Sequence, residues 1–267
     1  MRTKIVVSLN LTPDSFSDGG LYLEPAKALK HVEQILKLQP DVIDIGAIST
    51  RPKGASSVTV EEELARFNTV LPVIAPILKE SNVKISIDSY NFETLEYLVT
   101  KLPVAWVNDQ SGFADERIID LVKDTELKLI VMHHITLPVD PTKTIPEDLD
   151  ASIVVRDWLL KKAEYLLELG IRKEQIILDP GIGFGKTAKQ SWQLIKEAKS
   201  FANLGYPILY GHSRKSFMNL ITDRPFNERD LETSVLSFYL ATQGVEYIRI
   251  HNAEMNARSL RVAQQIL

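Results

Sequence analysis

The sequence contains no cysteine, which excludes disulfides, cysteine-ligated zinc and a thiol nucleophile by inventory. It also lacks a dominant charge. Against 35 Asp and Glu stand 31 Lys and Arg, so nothing electrostatic points to nucleic acid or an anionic membrane as partner. A local cluster of cations must then be read as a site. No apolar run approaches the roughly 20 residues needed to span a bilayer. The stretch from Met1 to Asn10 has neither the apolar length nor the small-residue cleavage site of a signal peptide. A cytoplasmic protein is expected. No linker, low-complexity tract or charge block divides the 267 residues, and residues 1–267 are read as one domain at the upper end of single-domain size.

What is present is a rhythm. Short runs rich in Ile and Val recur, each followed by a polar or Gly-containing turn and a longer stretch of helical spacing. Strands are expected at residues 4–9, 42–46, 84–88, 105–108, 127–132, 175–179, 207–211 and 247–251. The clearest helices are expected at 60–78 and 153–169; in the first, Val60, Leu64, Phe67, Leu71, Ile74 and Leu78 form one stripe. Glu61, Glu62 and Glu63 fall in its first turn, where the helix dipole favours them. Pro138, Pro141 and Pro146 mark residues 137–146 as one long loop. Eight such units predict an α/β fold, a single (β/α)8 TIM barrel, with an open doubly wound sheet as the rival.

In such barrels the chemistry sits where strands end. Asn10, Asp88, Asn108, Asp179, the run Ser213-Arg214-Lys215, Arg249 and His251 all lie at or just past an expected strand end. One such residue could cap the following helix; so many at one rim point to a site. Alternation along the last strand sends Arg249 and His251 to the same side. Their natural partner is an anion with several oxygens, and a buried salt bridge to a neighbouring carboxylate is the competing reading. The segment Leu178-Asp179-Pro180-Gly181-Ile182-Gly183-Phe184-Gly185-Lys186 imitates a P-loop, but Pro180 stands where that pattern needs glycine. It is also too loose for a dinucleotide fingerprint. Lys215 could be a Schiff-base nucleophile. His133 and His134 are adjacent, so on a strand they face opposite ways and do not readily share a metal.

These segments together resemble the dihydropteroate synthases. Asn10-Leu11-Thr12-Pro13-Asp14-Ser15-Phe16-Ser17-Asp18-Gly19-Gly20 is similar to that family's first-loop signature. Asp44-Ile45-Gly46 with Ser49-Thr50-Arg51-Pro52, Ile87-Asp88-Ser89, Asn108-Asp109, Met132-His133, residues 178–186, Ser213-Arg214-Lys215 and Arg249-Ile250-His251 match in order after successive strands. The resemblance implies a transferase of folate biosynthesis, a sulfonamide target. It would join 6-hydroxymethyl-7,8-dihydropterin diphosphate to para-aminobenzoate, giving 7,8-dihydropteroate and pyrophosphate, with Mg2+ as cofactor and a homodimer as the assembly. It implies that Asp88, Asn108, Met132, Asp179, Gly211 and Lys215 bind the pterin. Thr50, Arg51, Pro52, Phe184 and Ser213 would close on para-aminobenzoate. Asn10, Arg249 and His251 would hold the diphosphate, Asn10 also through the metal ion. Asp88, Lys215, Arg249 and His251 would form the catalytic set.

Three departures from the family pattern stand out. Ala47 and Ile48 follow Gly46 where the family reads Gly-Glu, Lys53 is an extra residue after Pro52, and Asn252 replaces the usual Asp after His251. A methyltetrahydrofolate-dependent methyltransferase shares the pterin floor but needs neither the diphosphate clamp nor the Ser-Thr-Arg-Pro loop. A non-catalytic pterin-binding paralogue remains as the alternative from another class.

Overall fold

A computed structural model describes residues 2–12, 24–48 and 58–266. Its strands are β1 (Lys4–Asn10), β2 (Val42–Gly46), β3 (Lys84–Asp88), β4 (Val104–Asp109), β5 (Lys128–Met132), β6 (Ile176–Asp179), β7 (Leu209–Tyr210) and β8 (Tyr247–Ile250). Between them run helices α1 (Pro25–Lys37), α2 (Val60–Glu80), α3 (Phe92–Lys101), α4 (Glu116–Lys123), α5 (Ala151–Glu168), α6 (Ala188–Lys196), α7 (Ala198–Ala202) and α8 (Asp230–Thr242), and α9 (Ala253–Ile266) follows β8. The strands form one sheet in the order β6-β5-β4-β3-β2-β1-β8-β7. All the pairings are parallel, and a parallel bridge between Leu178 and Ile208 draws the two edges together. This is the (β/α)8 barrel; the open-sheet alternative does not hold. Among the described residues no helix is long and apolar enough to cross a membrane.

Strand bounds differ from expectation mainly at the seventh unit, where five residues shrink to Leu209–Tyr210. Pro207 has no N–H to donate, and β6 meets this segment only through the single bridge and the Leu178 N–H to Pro207 carbonyl bond of 2.9 Å. α2 begins as its sequence suggests, with a capping box between Thr59 and Glu62. Glu61, Glu62 and Glu63 all fall in the first turn as expected, and one of them has further partners. Glu63 is buried, facing inward in place of Leu64, and accepts hydrogen bonds from Asn91 Nδ2 at 2.8 Å and Thr94 Oγ1 at 2.6 Å. It therefore ties α2 to the loop after β3 as well as lying near the helix dipole.

The pleat divides the strand residues between two environments. Ile5, Val7, Leu9, Ile43, Ile45, Ile85, Ile87, Leu129 and Val131 face the helices and build the outer core. The alternate positions face inward, and a separate apolar plug of Val6, Val42, Trp106, Ile130, Ile177, Leu209 and Tyr247 fills the lower barrel. Trp106 and Tyr247 meet edge to face at 4.9 Å between centroids. Two residues further along the same strands, inward positions turn polar: Ser8 and Asp44 pair across β1 and β2, Asp88 and Asn108 across β3 and β4. The plug thus forms a dry base for a polar mouth. Truncating Trp106→Ala is expected to lower unfolding free energy by about 3–5 kcal/mol, read from the urea midpoint followed by far-UV circular dichroism.

Candidate active site

Arg249 organises the mouth. Its Nε donates to Asp44 Oδ2 at 2.5 Å and its Nη2 to Asp88 Oδ2 at 2.6 Å. Asp44 is fully buried and also accepts from Asn108 Nδ2 at 3.1 Å; Asp88 also accepts from Gln110 Nε2 at 2.7 Å. The salt-bridge reading of Arg249 is therefore realised, yet 21% of its side chain stays exposed at the rim. Nη1 takes part in neither of these bonds. Burial works against the guanidinium charge, but the two carboxylates hold its pKa above the ordinary value. Asp88 moves the other way. Burial, with Asp44 adding to it against the pull of Arg249, pushes its pKa up to about 7.

His251 and Asn10 sit at the same rim. His251 Nδ1 lies 2.9 Å from Ser213 Oγ, joining the end of β8 to the loop after β7. Asn10 Oδ1 accepts from Ser8 Oγ at 3.2 Å. Ser213, assigned by resemblance to the aminobenzoate side, is thus a direct neighbour of His251, which the same resemblance assigns to the diphosphate.

Opposite them lies Asp179 at the end of β6. Its Oδ1 accepts the Gly181 N–H at 2.8 Å. Across from Oδ2 is Gly211, where a Cβ would come within 3.7 Å of Asp179 Oδ2 and 3.8 Å of Lys215 Nζ. The missing side chain leaves a slot edged by a carboxylate and an ammonium. Lys215 Nζ donates to the Ile182 carbonyl at 2.6 Å and lies 4.6 Å from the Phe184 ring centroid. Donation to a carbonyl and seating over a ring suit a charged donor, which tells against the Schiff-base reading. Asp179 is buried, and its pKa is raised by that burial, with Lys215 and the Gly181 N–H opposing. Met132 is the register partner of Asp179 and lines the same floor, as does buried Asn108. Gly181 must be glycine: its φ is +64°, and a Cβ there would fall on the His133 carbonyl oxygen.

The structure thus brings together Asn10, Asp88, Asn108, Met132, Asp179, Phe184, Gly211, Ser213, Lys215, Arg249 and His251 around the strand ends. Thr50, Arg51 and Pro52, with Lys53, lie outside the described residues. Asp44 and Gln110 received no role from the sequence. Asp44 could have been found by the period of two, since it precedes Gly46 on an inward row; Gln110, one residue past β4, carries no such signal. The third departure has a physical account. Asn252 Nδ2 donates to Asp230 Oδ2 at 2.8 Å, while its Oδ1 accepts the Met255 N–H at 3.1 Å. Asp230 in turn binds Arg214 through Nε at 2.7 Å and Nη2 at 2.9 Å. An amide is what this carboxylate requires of its neighbour.

Two outcomes follow. The folded chain keeps a proton on Asp88 between the ordinary value of 3.8 and about 7. Unfolding releases that proton in this window, so the Asp88 contribution to stability falls as pH rises through it. Carbon-13 carboxyl titration is expected to show an Asp88 midpoint near 7, and a higher one in Arg249→Gln, which loses the opposing cation. Asn252→Asp sets two carboxylates face to face. Its expected cost at pH 7 is about 1–2 kcal/mol, shrinking on acidification, measured by urea unfolding at both pH values.

Comparison with known proteins agrees with this geometry. Residues 7–251 match the pterin binding enzyme family. The folate synthesis bifunctional protein of Chlamydia caviae is 38% identical over 264 residues, covering 98% of this chain and 59% of that protein. The chain therefore spans 59% of the length of that relative. The dihydropteroate synthase of Staphylococcus haemolyticus is 35% identical over 271 residues, covering 99% of this chain and 94% of that one. Among solved structures, dihydropteroate synthase from Anaplasma phagocytophilum with bound 6-hydroxymethylpterin-monophosphate superimposes with a TM-score of 0.89 at 36% identity, covering 100% of both chains. The Xanthomonas albilineans enzyme with 4-aminobenzoic acid gives 0.87 at 29% identity over 99% of this chain and 93% of that one. A barrel closed on an apolar plug, a carboxylate and an ammonium facing across a glycine, and near-complete coverage by these relatives lead to one assignment: the chain belongs to the pterin binding enzyme family, among its dihydropteroate synthases.

Proposed function

We propose that this chain condenses 6-hydroxymethyl-7,8-dihydropterin diphosphate with para-aminobenzoate, releasing pyrophosphate. The observation that carries the reading is the slot at Gly211, edged by Asp179 and Lys215. A pterin edge presents a 2-amino group beside a ring N–H, two donors that one carboxylate accepts together, while its carbonyl takes a hydrogen bond from an ammonium. Asp179 fills the first role and Lys215 the second. Asp88 and Asn108 complete the polar frame, and Met132 supplies an apolar face.

Arg249, His251 and Asn10 hold the diphosphate. As the C–O bond breaks, charge develops on the leaving oxygens, and the guanidinium stabilises it. The amine of para-aminobenzoate then attacks the exposed methylene carbon between Phe184 and Ser213. Thr50, Arg51 and Pro52 would close over that substrate and exclude water. No enzymic nucleophile is needed, consistent with a Lys215 engaged as a donor.

Magnesium fits this donor set. Asn10 offers one hard amide oxygen at the rim, and no group of three or more His, Cys, Asp or Glu among the described residues forms a cage. Magnesium commonly takes one or two protein oxygens and completes its shell from phosphate and water. Bound there, it would neutralise diphosphate charge. A cytoplasmic location and a homodimer belong to the same proposal; Leu231, Val235 and Val262, which α8 and α9 leave exposed, supply an apolar surface for the dimer.

Purified protein given pterin diphosphate, magnesium and para-aminobenzoate is expected to yield dihydropteroate, detected by mass; tight pterin binding without product would sink the proposal. Asp179→Asn is expected to weaken pterin binding by about 1–3 kcal/mol, roughly 5- to 150-fold, in a calorimetric titration. Unchanged affinity would mean that the floor is misassigned.

A further inference from the structure

Lys186 ends the glycine-rich segment where a P-loop lysine would reach for phosphate, but its side chain turns inward. Only 7% of the residue is exposed. Nζ lies 2.8 Å from the Phe184 carbonyl, 3.3 Å from the His133 carbonyl and 2.9 Å from His133 Nδ1. We infer that Lys186 is a positioning residue for pterin recognition: it locks the 181–186 segment onto the end of β5, so that Ile182 and Phe184 hold Lys215 across from Asp179. The inference rests on the reading of Lys215 and Asp179 as pterin ligands.

Lys215 touches the segment twice, through the Ile182 carbonyl and the Phe184 ring. Both residues lie within four positions of Lys186, and the Phe184 carbonyl is one of its acceptors. The other two acceptors belong to His133, immediately after β5, so one amine joins the loop to the barrel wall. Burial, with Lys186 adding to it, pushes the His133 pKa down to about 2, so its ring is neutral. A neutral ring and this amine make all three bonds in either tautomer: with Nδ1 bare an ammonium donates three times, and with the ring proton on Nδ1 a neutral amine donates twice and accepts from Nδ1–H. The close fit of Gly181 against the His133 carbonyl shows how little slack the loop has. A further consequence is electrostatic, since Lys186 and Lys215 both oppose the burial that raises the Asp179 pKa.

A lysine that only stabilises the fold would lower the unfolding midpoint and leave pterin affinity alone. Lys186→Met keeps the stem and removes the amine. It is expected to weaken pterin binding about tenfold, the scale of one lost buried hydrogen bond to the group it places. Because the effect passes through Lys215, adding Lys186→Met to Lys215→Met should cause little further loss. Rescue is available because the chain has no cysteine: Lys186→Cys, alkylated in urea with 2-bromoethylamine and refolded, regenerates a lysine analogue and should recover affinity. If Lys186→Met does not fold, His133→Leu, which removes one acceptor, enters the same cycle with a smaller expected loss. Unchanged affinity, or an equal loss with and without Lys215, overturns the inference. Pterin binding unaffected by Lys215→Met alone instead overturns the reading of the pocket beneath it.

Discussion

Two carboxylates from neighbouring strands share one guanidinium inside the barrel mouth, and the polar half of the interior is arranged around that sharing. Asp44 and Asp88 both reach Arg249, leaving the trio one negative charge over if both are ionised. Burying such a trio is costly unless its remaining hydrogen-bonding positions are used. Asn108 and Gln110 use two of them, and the uptake of a proton by Asp88 at about 7 relieves the excess charge. The arrangement fixes Arg249 at the rim before any ligand arrives. An anion meets a guanidinium that is already oriented, so little ordering entropy is lost on binding.

The opposite wall solves a different problem. Asp179 must stay available as an acceptor although it is buried, and it is steadied by the Gly181 N–H on one oxygen while the other faces the Gly211 slot. Lys215 balances it across the slot, held by a carbonyl and an aromatic ring on the same glycine-rich segment. The Arg249 wall is organised from β2, β3 and β8, and the Asp179 wall from β6, β7 and the loops after them. The two walls meet through Ser213 and His251.

Much of this was legible in the chain. The alternation of apolar and polar residues on Ile- and Val-rich runs exposes the strands, and polar residues at their ends mark the rim. Where the expectation slipped, non-local contacts had intervened. Glu63 reads only as a first-turn residue near the helix dipole because the helical period says nothing about Asn91 and Thr94, which come from the next unit. The seventh strand reads as five residues because Ile and Leu continue, whereas its length depends on what its neighbour can pair with. Asn252 looks like a loss of function until Asp230 is placed beside it.

The segment ending in Gly185-Lys186 illustrates the boundary most clearly. Sequence alone excluded a P-loop there, because Pro180 stands in place of the required glycine, and it also placed Asp179 at a strand end. The direction in which Lys186 points, and the partners of Arg249 at 205 and 161 residues' separation, were decided only in the folded barrel. The reason is physical. Backbone periodicity and turn chemistry act over a few residues and are written locally, whereas the pairing of buried charges depends on closing eight strands into a ring, which no local pattern encodes.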